Sequence, residues 1–94
     1  MRIKEALYRM ITENVKDNKV ITLTKIKHTT GKHVLTIGSG LGEAAKYNYA
    51  IYDYHKGCKS GELAIKSNDA YRLAEYLIEF CGREFLKSNL PTLS

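Results

Sequence analysis

Apolar residues recur with two different periods along this chain, and the change of period divides it into elements. In residues 2–17, Ile3, Ala6, Leu7, Met10, Ile11 and Val15 fall three or four positions apart, with Lys4, Glu5, Arg9, Glu13 and Lys16 on the other side. That spacing predicts an amphipathic helix packed on the rest of the domain. Asp17-Asn18 closes it, because both residues tolerate turn geometry better than a helix interior. From Lys19 to Lys27 the β-branched Val20, Ile21, Thr22, Thr24 and Ile26 predict a strand. The pattern leaves its inward face open. Ile21 and Leu23 form one alternating set and Val20 and Ile26 the other, as a bulge or two partly covered faces would produce.

Thr29-Thr30-Gly31-Lys32 supplies a hairpin turn, with Gly31 available for positive φ. A second strand follows over His33–Ile37, with Leu35 and Ile37 inward and Val34 and Thr36 outward. The third, Lys46–His55, alternates Tyr47, Tyr49, Ile51, Asp53 and His55 against Asn48, Ala50, Tyr52 and Tyr54. With Tyr47, Tyr49 and Ile51 facing the core, Lys46, Asn48, Tyr52, Tyr54 and Lys56 lie on the outer face. A basic loop through Gly57 and Gly61 leads to a fourth strand, Glu62–Lys66, with Leu63 and Ile65 inward and Glu62, Ala64 and Lys66 outward.

Ser67-Asn68-Asp69 is a helix start, since these side chains accept from free backbone amides. Ala70, Leu73, Ala74, Leu77, Ile78 and Cys81 then form an apolar stripe. Gly82 kinks or ends that helix, and Phe85 and Leu86 resume helical character. The expected fold is α+β: one domain over 1–88, with a four-stranded antiparallel sheet flanked by an N-terminal and a C-terminal helix. Residues 89–94 are expected to form a flexible tail.

Between the second and third strands runs Gly38-Ser39-Gly40-Leu41-Gly42-Glu43-Ala44-Ala45. Read as VLTIGSGLGEAA, it resembles the first motif of class I methyltransferases, in which a glycine turn lets the backbone approach a cofactor. The acidic strand residue usual there is Thr36 here, and too little chain remains for the alternating units of such a fold. A flexible loop with no cofactor is the expectation.

Charge sharpens the picture. The chain of 94 residues carries a net +5, and the segment 19–66 holds eight lysines against Glu43, Asp53 and Glu62, so the whole excess falls on the predicted sheet. A solvated lysine surface and an anionic partner both accord with that count. The sequence has no apolar run long enough to cross a membrane and no secretory signal at its start, so no membrane partner is expected. Cys58 and Cys81 stand apart with no CxxC pair, as reduced thiols of a cytoplasmic protein would.

Four tyrosines crowd the third strand, and tyrosine rings beside lysines are a stacking platform for single-stranded bases. Catalytic chemistry has less support. Asp53 and His55 share a strand face, but no nucleophile completes them, and Cys58 between Lys56 and Lys59 has no partner acid or histidine. His28 and His33 flank the hairpin turn without a third metal ligand. The chain is therefore expected not to be an enzyme and to hold no metal.

The stretch KYNYAIYDYHKGCKSGELAIKSNDAYRLAEYL, residues 46–77, resembles the positive-cofactor-four family of single-stranded DNA-binding coactivators and their small bacterial relatives. An aromatic strand, a glycine- and lysine-containing turn, a short apolar strand and a capped helix follow in the same order. The resemblance implies a homodimer whose sheets form a basic groove for single strands, and it points to Lys46, Tyr52, Lys56, Lys59 and Lys66. The chain departs from the family in lacking tryptophan, in its glycine-rich segment and in its extra N-terminal helix.

Two functions remain. The first is binding of single-stranded DNA or RNA through Lys25, Lys27, Lys32, Lys46, Tyr52, Tyr54, Lys56, Lys59 and Lys66. The second is a small inhibitor or adaptor, of the kind phages and mobile elements encode to act in the host cytoplasm, which sets the same surface against an acidic protein.

Overall fold

A computed structural model describes residues 2–55 and 60–93. The first helix, α1, spans Ile3–Lys16 and buries Ile3, Leu7, Met10 and Ile11, the stripe the spacing predicts. Asn18, in the left-handed region at φ 57°, turns the chain out of it, while the Lys19 N–H donates to the Asn14 carbonyl at 2.8 Å.

Strands β1 (Ile21–Lys27), β2 (Gly31–Gly38), β3 (Tyr49–His55) and β4 (Glu62–Ser67) form one antiparallel sheet in sequence order. The β1–β2 register is unbroken from Ile21↔Ile37 to Lys27↔Gly31. No bulge divides β1: Ile21 and Leu23 face the core, and Thr22, Thr24 and Ile26 face solvent. The irregularity lies between β3 and β4, where Ile51 pairs with Ile65 but Tyr52 pairs with Leu63. The extra residue, Ala64, overturns the alternation expected for β4. Leu63 turns outward at 42% exposure, and both Ala64 and Ile65 pack against the core.

Asp69 accepts from the Tyr71 N–H at 3.0 Å and so caps α2 (Ala70–Cys81) as expected. Gly82, at φ 87°, breaks the helix, and α3 (Arg83–Leu93) follows, so the C-terminal region is two helices rather than one. The residues expected as a tail from position 89 are helical through Leu93, with the Asn89 amide donating to the Phe85 carbonyl at 2.7 Å.

The three helices cover one face of the sheet. Leu7 and Ile11 of α1, Leu73 and Leu77 of α2 and Leu86 of α3 meet Leu35, Ile37 and Ile51, all fully buried. Among the described residues, no helix is long and apolar enough to cross a membrane. The helices leave the opposite sheet face uncovered, although Gly38 and Ala50 at one end of it are buried.

Candidate functional site

Strand pairing maps the uncovered face in rows. Ile26 stands beside Lys32; Thr24, Val34 and Tyr54 form the next row; Thr22, Thr36, Tyr52 and Leu63 the third; Gly38, Ala50 and Lys66 the last. Val20 closes the last row, its Cγ2 lying 3.4 Å from where a Cβ on Gly38 would sit. No strand position of this face carries a carboxylate. The large hydrophobic side chains left exposed among the described residues are Val20 (64%), Ile26 (72%), Leu41 (67%), Tyr54 (38%) and Leu63 (42%). Four of them belong to this face, and the fifth is tied to it through Tyr52. Scattered exposed hydrophobics are ordinary, but their presence on one face makes that face the candidate site.

Tyr52 and Tyr54 are both on this face, as expected, yet neither ring stands free. The Tyr52 hydroxyl accepts from the Leu41 N–H at 3.0 Å and donates to the Leu41 carbonyl at 3.2 Å. That pair of bonds pins the glycine segment against the sheet. The segment itself is an ordered turn rather than the flexible loop expected. A short 3-10 turn spans Gly42–Ala44, Ala44 is buried, and the Tyr47 N–H donates to the Ala44 carbonyl at 2.9 Å. A Cβ on Gly40 would fall 1.9 Å from that same carbonyl oxygen, so only glycine fits there. Tyr54 lies over Gly61, whose added Cβ would stand 2.6 Å from the ring.

The lysines expected to act together divide between two sides of the sheet. Lys32 and Lys66 flank the uncovered face at opposite corners. Lys25 and Lys27 share a strand side with Ile21 and Leu23 and turn toward the helices. The Lys25 Nζ sits 4.6 Å from the Phe85 ring centre and the Lys27 Nζ 4.0 Å from that of Phe80. Alternation along β1 forces this once Ile21 and Leu23 are inward, and the two cations rest on aromatic faces. Lys56 and Lys59 lie outside the described residues, as does Cys58.

Tyr47 also departs from expectation. It precedes β3, stays partly exposed and takes no place in the core; Lys46 and Lys66 bring their Nζ atoms to 5.6 and 5.0 Å from its ring centre. Tyr49 does pack against the core.

One polar chain penetrates the opposite face. His33 and Asp53 are buried, at 6% and 9% exposure, and the His33 Nδ1 lies 2.9 and 3.1 Å from the two carboxylate oxygens. Asp53 thus pairs across strands with His33 rather than along its own strand with His55, which reaches Glu62 at 3.4 Å. The His33 Nε2 meets the Thr30 hydroxyl at 2.6 Å, and the ring packs edge-on to Phe80. Burial, and then the Asp53 charge, push the Tyr76 phenol above its usual range. The residues of this chain were separately visible in the sequence. Their meeting was not, because it depends on the β2–β3 register.

Buried Cys81 is a free thiol, pushed up to about 11 by desolvation, against which Lys25 and Lys27 act weakly. Among the described residues, no three His, Cys, Asp or Glu side chains gather as metal ligands. Comparison of the chain with protein-family models, with curated proteins and with solved structures gives no match in any of the three.

Proposed function

We propose that this protein is a small binding module, an inhibitor or adaptor, that docks its uncovered sheet face on a partner protein. The observation that carries the reading is the composition of that face: exposed Val20, Ile26, Tyr54 and Leu63 among threonines, with lysines at opposite corners. Exposed apolar side chains beside lysines, with no carboxylate among the strand positions of the face, suit docking on a protein. Its cations select a partner whose own apolar patch is rimmed by carboxylates. Homodimerisation through this face is less complementary, because neither copy's strand positions would offer a carboxylate to the other's lysines. A reduced, cytoplasmic setting belongs to the same proposal and accords with the free thiol of Cys81.

A second reading, binding of single-stranded DNA or RNA, is supported by the cluster of Lys46, Tyr47 and Lys66. Aliphatic neighbours and the commitment of the Tyr52 hydroxyl to Leu41 weigh against extending that platform across the sheet. Titrating a labelled single-stranded oligonucleotide at two salt concentrations separates the readings. The protein-docking proposal predicts weak binding that Leu63→Glu leaves unchanged. Tight, salt-sensitive binding lost in a Lys46→Glu/Lys66→Glu variant would overturn it in favour of nucleic acid.

A further inference from the structure

Thr30, His33 and Asp53 form a hydrogen-bonded chain that runs from an exposed turn into the core. In the neutral imidazole, the Asp53 carboxylate, 2.9 and 3.1 Å from the His33 Nδ1, favours the tautomer with its proton on that nitrogen. The Nε2 is then left to accept from the Thr30 hydroxyl, 2.6 Å away. The hydroxyl belongs to an exposed residue, whereas the base is 7% and the carboxylate 12% exposed at their side chains. A hydroxyl on an exposed residue, a buried base and a buried group orienting that base is the arrangement that activates a nucleophile, whatever the fold carrying it.

The turn that carries the hydroxyl is exposed. Thr30 sits on the turn between β1 and β2, and neither its backbone N–H nor that of Thr29 makes an intramolecular hydrogen bond among the described residues. Two backbone donors thus lie in the same exposed turn as the hydroxyl.

We propose that Thr30 is a nucleophile for small activated esters, with His33 as its general base and Asp53 as the positioning residue that holds His33. In the first step the Thr30 Oγ attacks the ester carbonyl carbon while its proton passes to the His33 Nε2. The carbon–oxygen bond to the leaving group then breaks, and the alcohol departs with that proton, leaving an acyl ester on Thr30. Water, losing its proton to the same Nε2, attacks this ester. The carboxylic acid leaves, and the proton returns to the Thr30 Oγ. No oxidant or metal enters the balance. The activity is independent of the uncovered face, which lies on the other side of the sheet.

The test is to treat the full chain with p-nitrophenyl acetate and map acetyl groups by mass spectrometry. Thr29, one residue away with no side-chain hydrogen bond among the described residues, is an internal control that needs no variant. The proposal predicts acetylation of Thr30 over Thr29 by about a hundredfold, the range a positioned general base supplies. It also predicts loss of p-nitrophenol release in Thr30→Ala, retention in Thr30→Ser, and slower release in Asp53→Asn. Equal acetylation of Thr29 and Thr30, acetyl groups on lysines alone, or release unchanged in Thr30→Ala would overturn it.

Discussion

At Tyr52 a single phenol hydroxyl serves both backbone groups of Leu41, so the ring fastens the glycine segment to the sheet instead of standing free for a ligand. Tyr52→Phe removes both bonds and is expected to lower stability by about 1 kcal/mol, given their exposed setting. The loss should register as faster hydrogen exchange of the Leu41 amide, with the core amides of β2 unchanged. Position Tyr52 on the outer face was legible from alternation; its partner was not, because Leu41 lies in a segment whose glycines give no periodic signal. Cys81 gives a second residue-scale prediction. Its thiol is raised to about 11 by burial, so the buried site favours the protonated form. The stability this group contributes is present in full below the ordinary thiol range and is lost as pH rises through about 11. Native protein near neutral pH should therefore resist iodoacetamide at Cys81 until denaturant is added. Rapid labelling under native conditions would show the thiol to be accessible.

Between α2 and α3, Gly82 makes a turn at φ 87° in open space, where a Cβ would touch nothing within 4 Å. Gly82→Ala is thus expected to act through backbone strain alone, lowering stability by on the order of 1–3 kcal/mol. Leu77→Ala on the buried side of α2 should cost about 2–5 kcal/mol through the cavity it leaves. Thermal unfolding of the two variants checks both values and their order. The elements were readable where period and burial agree, as in α1, β2 and the capped start of α2; for β1 the strand was legible but its inward face was not, because Val20 and Ile26 compete with Ile21 and Leu23. Strand β4 was not, because Glu62-Leu63-Ala64-Ile65 alternates cleanly and gives no sign of the bulge that turns Leu63 outward. The break at Gly82 was visible as a glycine, but whether a glycine kinks a helix or ends it depends on φ, which only the folded chain reveals.

Over the whole molecule, the net charge of +5 was a correct count with an incomplete spatial meaning. The sheet segment does hold the basic excess, but Lys25 and Lys27 lie on the helix side over Phe85 and Phe80. What remains on the uncovered face is apolar and hydroxylated at its centre. This difference moves the proposed partner from a phosphate backbone toward a protein, since aliphatic surface contributes to protein docking and offers little to bases or phosphates. The most direct measurement is quantitative affinity capture from the protein's own cellular source, comparing the wild-type chain with an Ile26→Glu/Leu63→Glu face variant and a Lys25→Gln/Lys27→Gln helix-side control. Circular dichroism confirms that all three are folded. The account predicts a stoichiometric partner with an acidic surface, retained by the control and lost at least about tenfold by the face variant, as removal of two exposed apolar anchors from that face entails. Capture unaffected by the face variant, or lost only in the helix-side control, would contradict it.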